Sequence, residues 1–179
     1  YWVRAVVKAA IAALGALSGR SQPAMTLFEE ALPAVEAAGG WAVNYPLLVG
    51  SLCSTLWNLE RSDHIEVLER NLLSKIIEPD FRYIHQDGRL SMAYLCALQG
   101  RHDEAVDWFA KARLVLDEEG ARPLRARTDY EEARMFARRD TPVDRDRALR
   151  LVDVAIDQFR ALGMTGWIAR AVSLAGTLR

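Results

Sequence analysis

Gly100-Arg-His-Asp-Glu-Ala105-Val-Asp-Trp-Phe109-Ala-Lys-Ala112-Arg-Leu-Val-Leu116-Asp-Glu-Glu-Gly120 is the stretch that decides the fold of this 179-residue chain. Ala105, Phe109, Ala112 and Leu116 advance by four, three and four positions and so share one helix face, while Asp103, Glu104, Asp107 and Lys111 fall elsewhere. Small residues at 100, 105 and 112 around one large aromatic describe a helix that presses closely on a neighbour. Gly120 then accepts the left-handed conformation that ends a helix.

The same spacing recurs. Gly19, Ala24, Phe28, Ala31 and Gly39 reproduce Gly100, Ala105, Phe109, Ala112 and Gly120, each pair 81 positions apart. A further copy reads Ala148, Val152, Ala155 and Gly163, without the first Gly and with Asp140-Thr-Pro-Val-Asp144 read as a lengthened loop. Midway between the first two lies a degenerate copy, Ile65, Glu69 and Leu72, with Pro79 near the closing position, so successive spacings are 41, 40 and 43. Such a period is the signature of stacked supersecondary units, each too small to bury its own apolar face.

Each copy needs a preceding helix, and the apolar pattern supplies one at 2–18, 45–59, 87–99 and 123–138, with a last helix at 166–178. Asn44 is placed to cap the second of these, with Pro46 in its first turn, where a missing N–H costs little. Pro33, inside the segment 22–38, is expected to bend that helix or divide it near Leu32. No segment alternates with period two between turn dipeptides, so the chain is expected to be all-α. The four units run 1–40, 41–80, 86–120 and 123–163, in one domain.

Gly100, Ala105, Phe109 and Ala112, and equally Gly19, Ala24, Phe28 and Ala31, give the chain a resemblance to tetratricopeptide (TPR) repeats. In that family's helix-turn-helix unit, small residues mark helix contacts and a large residue lies between them. Asp117 and Glu36 stand where the family closes with Pro, and the period near 41 also fits HEAT-like helix pairs. The resemblance implies a right-handed α-solenoid of about four TPR-like hairpins plus a final helix. Over residues 86–179, Leu95-Cys-Ala-Leu-Gln-Gly-Arg-His-Asp-Glu-Ala, Arg134-Met-Phe-Ala-Arg-Arg-Asp, Asp144-Arg-Asp-Arg-Ala-Leu-Arg-Leu-Val-Asp-Val-Ala and Ala161-Leu-Gly-Met look like the C-terminal helical repeats of bacterial multidomain ATPase regulators. There such an array accompanies a nucleotide cyclase or a LuxR-type DNA-binding domain. The resemblance implies a cytoplasmic sensor or scaffold segment of a signalling or transcriptional regulator, with no cyclase or ATPase motif in this chain.

Composition sets bounds on function. Hydrophobic residues make up 51% and charged residues 26%, the balance of an ordered globular protein. A net charge of −1 gives no bulk drive toward nucleic acid or an anionic membrane. Arg4 and Lys8 interrupt the apolar opening, and the uncharged run after Lys8 is far shorter than the roughly 20 residues that span a bilayer. Residues 2–18 are therefore read as the first ordered helix of a fragment of a longer polypeptide. Cys53 and Cys96 sit in apolar helical patterns, where a thiol acts as a small hydrophobe.

Chemical motifs are sparse. Gly39-Gly40 and Gly15-x3-Gly19 lack the Lys-Ser/Thr sequel of a phosphate loop. His64, His85 and His102 stand beside turns without partners at metal-ligand spacing. Glu29-Glu30, Glu118-Glu119 and Glu131-Glu132 are adjacent pairs that point in different directions along a helix, read as a solvated face. The sign-alternating run Arg138–Arg147 is read as a polar loop, with a phosphate or acidic-partner site around Arg134, Arg138 and Arg139 as the sharper alternative. Of five tryptophans, Trp2 and Trp108 fit a core, Trp41 a connection and Trp167 the start of the last helix. No nucleophile–base or metal constellation is present, so no catalytic residue and no cofactor are expected.

In stacked repeats the first helix of each pair lines the concave wall. Counting back from Ala105 places Tyr94 there; the equivalent count from Ile65 gives Ser54, with Trp57 and Asn58 one turn on, and Arg134 is the counterpart in the fourth pair. Tyr94, Trp57, Asn58 and Arg134 are the groove candidates. The expected partner is a protein or the chain's own upstream domains, with no direct nucleic acid and no membrane. The alternative is a sugar or metabolite receptor that controls an attached ATPase module, and the apolar opening helix leaves room for a homo-oligomer. If close helix contact sets the pattern, a bulky residue at Ala105 costs about 1–3 kcal/mol and Phe109→Ala about 3–5 kcal/mol. Both lower the melting temperature while a change at Lys111 does not; equal tolerance at the three sites would refute the repeat.

Overall fold

A computed structural model describes residues 1–37, 44–82 and 86–179. Gly39, Gly40, Trp41 and His85, assigned above to a helix end, a connection and a turn, lie outside the described residues. The chain is all-helical, with no strand among the described residues. The elements are α1 (Trp2–Leu17), α2 (Ser21–Ala31), α3 (Pro33–Ala37), α4 (Tyr45–Leu59), α5 (Ile65–Leu72) continuing into a π-helical turn (Leu73–Ile77), α6 (Gly88–Leu98), α7 (His102–Glu118), α8 (Arg122–Arg139), α9 (Pro142–Ala161) and α10 (Thr165–Leu178). No described helix is long and apolar enough to cross a membrane.

Two compact units divide the chain, Tyr1–Trp108 and Phe109–Arg179. In the first, α1 packs along both α2 and α4, and α4 also meets α6. The side of α1 that faces inward is small: Ala5, Ala9, Ala12 and Ala16 are buried, which lets backbones approach. Of its larger residues Val6 is buried with them, while Val3, Val7, Ile11 and Leu14 are at least half exposed. Helix α4 is buried almost all round, from Tyr45 to Trp57, as its continuous apolar sequence requires. In the second unit α8 packs along α9 and α9 along α10, around Ala126, Ala133, Ala148, Val152, Ala155 and Phe159, all fully buried.

Pro33 divides its segment as its missing N–H demands: α2 ends at Ala31 and α3 starts at Pro33. Asn44 does precede α4, yet its side chain makes no capping hydrogen bond to the first turn. Asp87 does cap α6, its Oδ1 accepting from the Arg89 and Leu90 backbone N–H groups at 2.9 and 3.1 Å.

Two sequence expectations need correction. Residues 142–147 are not a polar loop but the first turns of α9. Thr141 caps it, its Oγ1 accepting from the Asp144 N–H at 3.2 Å and donating to the Asp144 carboxylate at 2.7 Å, with Pro142 at the first helical position. The alternating charges of 145–147 are the exposed side of that helix. Second, Gly100 is small for the backbone rather than for a neighbour. A Cβ built there meets nothing within 4 Å, but φ is +74°, and the Arg101 N–H returns to Cys96 O at 2.9 Å.

That closing bond, from the residue after a left-handed one to the carbonyl five back, recurs along the chain. Arg20 bonds Gly15 O past Gly19, Ala121 bonds Leu116 O past Gly120, and Met164 bonds Phe159 O past Gly163, each at 2.9 Å. Where the repeat lacks a glycine, an ordinary residue takes the conformation. Glu60 (φ 55°) precedes the bond from Arg61 to Leu56 O, and Asp80 (φ 51°) precedes that from Phe81 to Ile76 O.

Gly100→Ala is expected to cost about 1–2 kcal/mol through the left-handed backbone alone. Gly176→Ala, equally open but inside α10, is expected to stabilise by about 0.5–1 kcal/mol. Denaturant melts of the two variants check the contrast in sign.

Candidate functional site

In the first unit Trp57 and Tyr94 come together where α4 meets α6, their rings stacked 5.2 Å apart at an interplanar angle of 3°. Both are buried, at 1% and 2% exposure, so each ring face covers the other. Asn58, half-buried, donates from Nδ2 to Ser54 O at 2.8 Å, one turn back along α4. Arg134 belongs to the second unit, where its Nη1 donates to Glu131 at 2.7 Å and its guanidinium lies 5.9 Å from the Tyr130 ring centre.

The second unit holds a polar cluster that sequence reasoning missed. Arg125, Asp129 and Glu132 lie at i, i+4 and i+7 on α8 and therefore form one stripe. Asp129, 2% exposed, accepts from Arg113 Nε of α7 at 2.7 Å, from Arg125 Nη1 at 2.5 Å and from Gln158 Nε2 of α9 at 3.2 Å. The other end of the Arg113 fork meets Glu132. One carboxylate thus gathers three helices. Burial holds the Glu132 carboxyl above its ordinary range despite the attraction of Arg113.

Glu131 and Glu132 are accordingly not the solvated face expected from sequence; they are 1% and 5% exposed. They still point apart, Glu132 to Arg113 and Glu131 to Arg134. The available signal was the spacing of Arg125 and Asp129, a helical ion pair placed in a helix otherwise rich in arginine.

The stripe offset by two residues from the cluster carries Arg127, Glu131, Arg134 and Arg138, on nearly the opposite side of α8 because two residues turn a helix by about 200°. Beside it Tyr130 packs edge-on to Trp167 of α10 at 5.6 Å and to Phe159 of α9 at 6.3 Å. Arg127 and Arg170 lie 4.9 and 5.9 Å from the Trp167 ring centre. Burial pushes the Tyr130 phenol up, Glu131 adds to that, and Arg134, Arg170 and Arg138 oppose it.

The remaining reactive residue types are packed or paired. Cys53 and Cys96 are free and buried, and burial raises both thiols, Cys96 to about 11, which leaves little nucleophilic thiolate at neutral pH. His64 lies 3.4 Å from the Glu29 carboxylate on the surface, and His102 opens α7. Among the described residues no group of three His, Cys, Asp or Glu side chains is arranged to hold a metal ion.

Comparison of the chain with protein-family models, with curated proteins and with solved structures yields no match in any of the three.

Cutting one arm of the Asp129 cluster tests its balance. Arg113→Met leaves two buried carboxylates short of their cation and is expected to destabilise by about 3–5 kcal/mol near neutral pH. A carboxyl whose folded pKa is raised takes up its proton in the folded state before the unfolded chain does. The deficit is therefore largest above the raised Glu132 value and shrinks as pH falls through it. Denaturant unfolding at about pH 7 and about pH 5 should show the smaller deficit at the lower pH.

Proposed function

We propose that this chain is a non-catalytic helical-repeat segment, built as a TPR-like α-solenoid, that serves protein interaction or effector sensing within a bacterial cytoplasmic regulator. The observation that carries the reading is the recurrence of one turn. Left-handed residues stand at 19, 60 and 100 between the helices of a pair and at 80, 120 and 163 between pairs, each followed by the same closing bond. The helices after the turns at 19 and 100 bury an Ala–large–Ala series: Ala24, Phe28 and Ala31; Ala105, Phe109 and Ala112. What repeats is contact geometry, while the polar residues of one copy are absent from the next. Conserved packing with variable polar faces suits recognition rather than one chemical step.

The receptor alternative has an observation of its own. A cleft of about 540 Å³ between α5 and the end of α6 is lined by Ser62, His64, Glu66, Val67, Leu98 and Gln99, within the size range of small-molecule sites. Such a site would take a polar metabolite and bias an attached module.

Ligand linkage separates the two readings. A metabolite present at about 100 times its Kd adds about 2.7 kcal/mol, which for a chain of this length raises the melting temperature by roughly 5–10 °C. The interaction reading expects no such shift across a sugar and metabolite panel, together with specific retention of a protein on the immobilised chain that the groove-candidate variants Asn58→Ala or Arg134→Ala reduce. A metabolite shift of that size, abolished by His64→Ala, would replace interaction by reception.

A further inference from the structure

Helix α1 is apolar on both of its sides. The side packed on α2 and α4 is mostly alanine. The side turned to solvent carries Val3, Val7, Ile11 and Leu14, at 69, 50, 50 and 62% exposure. Steps of four, four and three keep these side chains within about 80° of one another, in a stripe about 16 Å long. Apart from the neighbouring Tyr1, the other large apolar residues left exposed among the described residues, such as Leu114 and Val172, stand well separated on other helices. A helix that is hydrophobic all round ordinarily lies buried. No charge interrupts the stripe: Arg4 stands at its edge, and Lys8, further round, is held by Glu30 at 2.6 Å. Helix α1 contains no carboxylate at all.

We infer that this stripe pairs α1 with the α1 of a second copy of the chain, antiparallel, in a two-fold dimer. Charge sets the direction. The helix has no acid in its first turn and no base in its last, so its C-terminal end keeps the partial negative charge of the backbone without a cation of its own. An antiparallel copy lays Arg4 beside that end, near residues 14–17 of the other helix, and symmetry makes the contact twice. A parallel copy would set Arg4 against Arg4 with no acid on either helix between them. In the antiparallel register Val7 meets Ile11 and Val3 meets Leu14, so branched side chains face one another along the whole stripe. Because the stripe meets its own copy, the contact closes at two chains. Area sets the strength. An aliphatic side chain covers on the order of 100 Å², so the four leave about 250 Å² on each copy. Tyr1, Arg4, Ala10 and Ser18 at the rim bring the pair to roughly 1,000 Å² in all, the low end of specific association, which makes the dimer reversible.

Sedimentation equilibrium of the full chain between about 10 μM and about 1 mM is expected to show monomer giving way to dimer and to nothing larger, with a Kd on the order of 100 μM. Ile11→Glu, which sets an acid in the middle of the stripe twice over, is expected to leave monomer throughout. Val172→Glu, a comparably exposed valine on α10, leaves the dimer unchanged. Arg4→Glu turns attraction at the two helix ends into repulsion and weakens the dimer by about three- to tenfold. Melting curves in dilute solution that match the wild type secure that each variant is folded. Orientation is read with Val3→Cys and Leu14→Cys, since the native Cys53 and Cys96 are buried. A short bis-maleimide linker is expected to join the two variants when mixed and to join neither to itself. Monomer at every concentration, growth beyond two copies, a dimer that survives Ile11→Glu, or self-linking of Val3→Cys would overturn the pairing.

Discussion

A helix that ends must reverse direction without leaving its last carbonyls unpaired, and in this chain one backbone device does so repeatedly. A residue in the left-handed region turns the chain, and the N–H after it bonds the carbonyl five residues back. Where glycine supplies the turn the connection needs only three residues, so the next helix starts in place to pack against the last. Helix spacing, and with it the choice of which residues are buried, follows from this turn. Glycine adopts it without a Cβ penalty, as at Gly100. Glu60 and Asp80 adopt it at a cost that the packing of α4, α5 and α6 must offset.

That constraint explains which parts of the fold were legible in the sequence. Helix positions followed from apolar periodicity and from Pro33, because period and proline act locally. The Ala–Phe–Ala series was legible because close backbone approach excludes large side chains at those positions. The turns at Glu60 and Asp80 were hidden: neither residue type announces a positive φ, although each sits one period from a glycine in the same role. The start of α9 was misread because charge alternation suggested a loop, while the stronger signal was Thr141 with Asp144 three residues on, a capping pair with Pro142 between them.

The candidate site was less legible, for a physical reason. Sequence periodicity reports which face of a helix is apolar; it does not report which polar face meets another polar face. Trp57 and Tyr94 could be placed on neighbouring helices, but not stacked on each other, which is how α4 and α6 fill the space between them. Glu132 looked like a solvent-facing acid because the cation that covers it comes from another helix, Arg113, nineteen residues before it; the partner of Glu131, Arg134, lies one turn on along α8 itself. A long-range partner turns an ordinary surface pattern into a buried one at Glu132.

Helix α8 shows what this partition does. Its 18 residues carry six arginines and three acids, and only two of those acids face the three-helix cluster around Asp129. Burying Asp129 and Glu132 is tolerable only with Arg113 and Arg125 in reach, since an unpaired buried carboxylate costs several kcal/mol. The cluster therefore takes acids away from the rest of the helix, and the opposite stripe is left with more guanidinium than carboxylate. Tyr130 and Trp167 let those arginines approach one another by giving their planar faces a ring to lie against. The uneven placing of acids along α8 is thus a by-product of holding three helices together.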